Sequence, residues 1–134
     1  MRKLCTRRLN HYETDADGVC HFSNYFRHTE EALFEVVEPQ IWSSLQEQNH
    51  TLAIVGANAT YMNSLTFLEQ FSVYLKTSQL RRTRAMLEFL IADDTAKTEY
   101  CSVSLTVVCI DKSNNEVVKL PTELVEKLQE MTRD

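Results

Sequence analysis

Two aspartates, Asp15 and Asp17, and a histidine, His21, lie in the acidic, glycine-containing loop that opens the stretch from Asn10 to Glu38. From about Phe22 the stretch turns helical. Tyr25, Phe26, Thr29, Ala32, Leu33, Val36 and Val37 recur there at three- and four-residue spacing over roughly four turns. A helix start presents unpaired backbone N–H groups and a partial positive charge, which suit an oxyanion or a phosphate. A carboxylate just upstream joins a group able to attack or deprotonate to groups able to hold developing negative charge, as acyl transfer requires. The same residues have plainer uses. Asp15 fits a loop or helix cap, Asp17 a solvated loop position, and His21 a partly buried loop histidine as readily as a contact to substrate or to Asp15. His11, Glu13, Asp15, Asp17 and His21 together show no recognised zinc or iron ligand spacing, and no metal is expected. Glu30 and Glu31 are competing carboxylates on the helix, with Glu30 read as facing inward and Glu31 and Glu35 as solvated.

The elements that must hold this loop follow from patterning. Lys3 to Tyr12 reads as a first strand and Glu13 to His21 as the loop, with Gly18 marking a tight turn. Pro39 ends the long helix and starts a short second one, PQIWSSLQEQ, which packs through Ile41, Trp42 and Leu45 or serves as a lid. From Thr51 the period changes to two. Four strands are expected, over Thr51 to Met62, Phe67 to Gln79, Arg81 to Asp93 and Tyr100 to Asp111, separated by gaps too short for helices and therefore antiparallel. A brief VVKL strand and a helix from Pro121, with Leu124, Val125, Leu128 and Met131 on one face, complete the chain. Gly56, Ala57 and Ala59 leave room for a helix or ligand beside the second strand.

With 134 residues, 43% hydrophobic and 25% charged, the chain fits one domain over 1–134 with a single core. A net charge of −5 argues against nonspecific nucleic-acid binding. The four cysteines show no paired-ligand or secretory pattern, so reduced, packed thiols in a cytoplasmic protein are expected, without a membrane span. The run Leu80-Arg81-Arg82-Thr83-Arg84 is the densest basic stretch after the N-terminus. It reads either as a solvated strand edge or as a forked binder of phosphate.

Thr14-Asp15-Ala16, Gly18-Val19 and Asn24-Tyr25, then Glu30, Ala32 and Glu35, a strand ending at Tyr61, Arg81-Arg82, and Val107 to Asp111 leading to Leu120-Pro121 resemble one family. It is the hotdog-fold acyl-CoA thioesterases of the 4-hydroxybenzoyl-CoA thioesterase type. The resemblance covers nearly the whole chain. It implies an α+β fold, an antiparallel five- to six-stranded sheet wrapped around one long helix, in a homodimer or homotetramer with sites at the dimer interface. It also implies Asp15 as the catalytic nucleophile or general base; His21 is added as a catalytic candidate from its own place in the loop, not from the resemblance. Phe22, Ser23, Asn24 and Tyr25 are implied as oxyanion or substrate contacts, and Arg81, Arg82 and Arg84 as binders of the coenzyme A phosphates. No cofactor is implied, coenzyme A being part of an acyl-CoA or acyl-carrier-protein substrate. Asn63, Glu69 and His21 stand where the family commonly has proline, aspartate and an aromatic residue. The expected activity is acyl-thioester hydrolysis; the alternatives are a noncatalytic acyl-binding partner protein and a hotdog lyase or hydratase, which relies on a differently placed histidine.

Overall fold

The computed structural model describes residues 1–132. These form one antiparallel sheet of β1 (Arg2–Arg8), β2 (His50–Tyr61), β3 (Gln70–Leu80), β4 (Arg84–Ala92), β5 (Glu99–Asp111) and β6 (Glu116–Val118). The order is β1-β3-β4-β5-β2, and β6 pairs with β5 over Cys109–Asp111, beyond the point where β4 begins opposite Val108. Three helices accompany it, α1 (Phe22–Val36), α2 (Pro39–Glu47) and α3 (Thr122–Thr132). The α+β arrangement expected from the sequence is present. Among the described residues no helix is long and apolar enough to cross a membrane.

The long helix faces β1, β3, β4 and β5. It buries Tyr25, His28, Thr29, Ala32, Leu33 and Val36, a stripe at helical spacing. Against it stand Phe71, Val73, Leu75, Ala85, Leu87, Phe89, Ile91, Val103, Leu105 and Val107, alternate residues of three central strands. Phe26, expected in the stripe, is only half-buried, and His28 takes the place behind it. Pro39 sits at the first turn of α2, whose Ile41 and Leu45 are buried while Trp42 meets Phe34 edge-on at 5.5 Å.

Several expected boundaries and faces shift, each for a local reason. β1 stops at Arg8 because the chain enters a 3-10 turn at His11–Glu13, closed by the Asn10 N–H donating to Glu13 Oε1 at 2.9 Å. β3 starts at Gln70, not Phe67, because the Phe67 and Leu68 N–H groups are given to the carbonyls of Gly18 and Leu9 at 3.0 Å each. β4 starts at Arg84 because the Arg81 N–H closes a turn onto the Arg84 carbonyl at 2.8 Å. Ser72, on the pleat opposite Phe71 and Val73, is fully buried with Tyr74, Leu90 and Ala92. The Asp93–Lys97 turn folds over that outer patch, where the Tyr74 hydroxyl donates to the carbonyls of Asp93 and Asp94 at 2.9 Å each. In β2 the register shifts between Ile54 and Gly56, leaving Val55 as an extra residue. The bulge puts Leu52 and Ile54 on the same face as Ala57, Ala59 and Tyr61, opposite Cys109, Val107, Leu105, Val103 and Cys101, and breaks the simple alternation expected for this strand.

Candidate active site

The Asp15 loop is a tight hairpin. Thr14 bridges Cys20, the Asp15 N–H donates to the Val19 carbonyl at 2.9 Å, and the Gly18 N–H returns to the Asp15 carbonyl at 3.1 Å. Gly18 has φ +76°, the left-handed conformation glycine adopts without penalty. Asp15 Oδ1 accepts the N–H groups of Asp17 at 2.9 Å and Val19 at 3.4 Å, which satisfies one carboxylate oxygen within the turn. Among the described residues, Oδ2 has no protein hydrogen-bond donor.

Asp15, His21, Phe22 and Tyr25 line one cleft of about 530 Å³ with Tyr61 at the end of β2 and Met62 to Ser64 just beyond it. Four sequence-expected site residues are thus brought together. Tyr61 closes the cleft against the helix, its ring 5.5 Å from that of Tyr25 and its hydroxyl donating to the Phe22 carbonyl at 3.4 Å. Asn63 secures the opposite wall through its N–H to the Tyr100 carbonyl at 3.4 Å and its side chain to the Glu99 carbonyl at 2.8 Å, the first of which a proline there would forfeit. Burial pushes the Tyr25 phenol up, the Cys20 thiol up to about 11 and the Cys101 thiol up to about 12. These shifts favour the protonated forms, of Tyr25 and Cys20 in the cleft wall and of Cys101 buried behind it.

The helix start divides the expected oxyanion donors. His21 is the N-cap of α1: its Nδ1 accepts the Ser23 N–H at 3.4 Å and hydrogen-bonds the Ser23 hydroxyl at 2.9 Å, while its ring stacks on Phe22 at 4.5 Å. The Asn24 N–H is committed to the His21 carbonyl at 2.9 Å, and the Asn24 side chain donates to the Glu13 carbonyl at 2.7 Å. Asn24 thus spends both its backbone N–H and its side-chain amide within the chain, as an anchor of the loop. The Phe22 N–H has no acceptor among the described residues, and the Ser23 N–H has only its long bond to His21.

The basic stretch lies elsewhere. Arg81, Arg82 and Arg84 are exposed on the β3–β4 turn. Tyr61 opposes Cys101, which opposes Ile91, whereas Arg84 opposes Val108. The rise of a strand from Ile91 back to Arg84 is about 23 Å, so within one chain the arginines and Asp15 mark opposite ends of the sheet.

Beneath the loop is a cluster the sequence reading did not assemble. The side chains of Glu13 and His28 are 1% and 4% exposed, with Glu13 Oε2 and His28 Nε2 2.5 Å apart. Arg27 also pairs with Glu13, and Arg7 reaches His28, Glu31 and Glu35. Glu31 is held between Arg7 and Arg27, while Glu30, expected inward, is exposed beside Phe26 and Phe34 at a separate groove. Asn10-x-x-Glu13 was the available signal, being the spacing at which an acid reaches back to a capping residue.

Comparison with known proteins gives concordant matches. A family model described as "Thioesterase-like superfamily" matches residues 9–128. A curated protein of Aquifex aeolicus (strain VF5) named "Putative esterase" is 30% identical over 131 residues, covering 92% of this chain and 95% of its own. Among solved structures, a "Probable Thioesterase" of Escherichia coli superposes with a TM-score of 0.83 at 20% identity, over 99% of this chain and 100% of that one. A 1,4-dihydroxy-2-naphthoyl-CoA thioesterase from Synechocystis does so with a TM-score of 0.85 at 16% identity, over 97% of each. These structures share the curled sheet and long helix, the hotdog arrangement.

Proposed function

This chain belongs to the thioesterase-like superfamily, and from that premise we propose that it hydrolyses acyl thioesters of coenzyme A or of an acyl carrier protein, with Asp15 as the reacting carboxylate. The observation that supports this reading is the shared cleft, lined both by Asp15, which has an oxygen without a protein donor, and by Phe22, whose N–H has no acceptor among the described residues. A thioester carbonyl set between them meets a carboxylate on one side and the positive end of α1 on the other. Asp15 attacks the carbonyl or deprotonates a water that does. The oxyanion takes the Phe22 N–H, with that of Ser23 released from its long bond to His21. Collapse expels the thiol, and the acid leaves either directly or after hydrolysis of a mixed anhydride with Asp15. His21, its Nδ1 engaged as the helix cap, shapes the rim.

The similar Synechocystis structure, named as a CoA thioesterase, supports coenzyme A as the carrier, and the Thr14-Asp15-Ala16, Gly18-Val19 and Asn24-Tyr25 pattern supports the 4-hydroxybenzoyl-CoA type as the subfamily. The phosphates would be held by Arg81, Arg82 and Arg84 of a second subunit. β2 is an edge strand of the sheet, and antiparallel pairing with its copy would bring the partner's arginine end toward this chain's Asp15 end. A homodimer of this kind, alone or paired into a homotetramer, completes the site.

Thiol release from a panel of acyl-CoA and acyl-carrier-protein thioesters, with Asp15→Asn alongside, tests the reading. Turnover that falls about 10²- to 10⁴-fold in a variant of unchanged fold is expected. A fully active Asp15→Asn, or a wild type inert on both carriers, overturns it.

A further inference from the structure

The charged groups under the Asp15 loop close into a ring. Glu13 Oε2 meets Arg27 and lies 2.5 Å from His28 Nε2; Arg27 Nη1 donates to Glu31 Oε1 at 3.0 Å; Glu31 Oε2 meets Arg7; and Arg7 Nη1 lies 3.5 Å from His28 Nδ1. Arg27 Nη2 also lies 3.4 Å from Nε2, but an ionised carboxylate only accepts, so the Nε2 that meets Glu13 at 2.5 Å carries a proton, while Nδ1 faces the Arg7 guanidinium, which only donates. Glu13 and His28 are sealed from solvent, so neither touches a substrate in the cleft. Nor is a stability role enough to explain them. A buried carboxylate with its hydrogen-bonded partners returns little net stability over apolar residues of similar size, whereas such a network does hold its members at fixed separations.

What Glu13 fixes is the loop. Its backbone carbonyl accepts the His21 N–H at 2.9 Å and the Asn24 side-chain amide at 2.7 Å, so one peptide grips both the end of the hairpin and the first turn of α1. Asp15 stands two residues further on, and Phe22 follows His21. We propose that Glu13 and His28 are positioning residues, whose buried pair, locked by Arg27 and Arg7, sets the separation between the Asp15 carboxylate and the Phe22 N–H. The catalytic part of this inference rests on the hydrolase reading above.

The test combines steady-state kinetics with amide hydrogen exchange on Glu13→Gln and His28→Leu in the full chain. A displacement of even an ångström at a reacting pair costs about 10² in rate. The expected result is a kcat lowered by about that factor with KM little changed, and exchange accelerated about tenfold at Gly18, Val19, His21 and the Asn24 side chain while β4 and β5 keep their rates. Unchanged kcat and unchanged exchange overturn the proposal. Acceleration spread equally through β4 and β5 also overturns it, because the pair is then a general stabiliser. A wild type without turnover removes the hydrolase reading by itself, and the exchange pattern then decides whether the pair sets the loop's geometry.

Discussion

The imidazole of His28 stands between the Glu13 carboxylate, 2.5 Å from Nε2, and the Arg7 guanidinium, 3.5 Å from Nδ1, with the Phe71 ring edge-on at 4.8 Å. Burial pushes its pKa below the ordinary 6.5; Glu13 pulls it back, and Arg27 and Arg7 push it down again, so folding favours the neutral ring. Burial alone would raise the Glu13 carboxyl, but the Asn10 amide, His28 and Arg27 outweigh it and hold the group below 4.5.

Both shifts have the same sign for stability. The unfolded chain takes up a proton at His28 below pH 6.5 that the folded chain refuses, so this contribution is intact above 6.5 and declines as pH falls. The Glu13 contribution is lost at lower pH still. Urea unfolding between pH 7 and 5 is expected to show a slope reduced in His28→Leu by up to about 1.4 kcal/mol per pH unit. Identical slopes in variant and wild type would contradict the neutral buried imidazole.

Gly18→Ala isolates backbone strain. A Cβ at Gly18 meets nothing within 4 Å, so the cost comes from φ +76° alone. Destabilisation of about 1 to 2 kcal/mol in urea unfolding is expected, with Gly18→Asn milder because Asn tolerates the left-handed region.

Replacing Arg81, Arg82 and Arg84 together by Ala is expected to raise KM for acyl-CoA about tenfold, steeply dependent on salt, and to leave kcat unchanged. KM for the matching pantetheine thioester, which lacks the nucleotide phosphates, should not move. Equal losses on both substrates would remove the phosphate role.

Val55, 55% exposed at the β2 bulge, borders the proposed pairing edge. Val55→Lys is expected to shift the assembly toward monomer in light scattering and to lower activity with it, since charged edges resist strand addition. A Val55→Lys protein with wild-type mass would place the subunit contact elsewhere.

Periodicity made α1 legible almost to the residue, because Tyr25, Thr29, Ala32, Leu33 and Val36 repeat at the interval of the surface they bury. Gly18 and Pro39 announced their turn and helix start through backbone geometry that few other residues share. The β2 bulge was not legible. It is a one-residue offset, and the displaced Val55 is as apolar as its neighbours. His28 hid inside the apolar stripe because its burial depends on partners from three separate elements, Arg7, Glu13 and Phe71. The committed amide of Asn24 also lay beyond sequence reasoning, which locates a helix start but not which of its N–H groups the chain itself consumes.

The strand order has a consequence for how the polypeptide emerges during synthesis. β1 can pair only with β3, and β2 reaches the sheet only through β5, so the first half of the chain contains no two strands that are neighbours. The apolar side of α1 leaves the ribosome before β3, β4 and β5, on which it packs. Nascent chains in that interval carry an uncovered helix and unpaired edges, the features that recruit chaperones. The cleft wall at Tyr61 waits longer, until Cys101 arrives to hold it, so a chain cut short before β5 would have both halves of the site and no means of joining them.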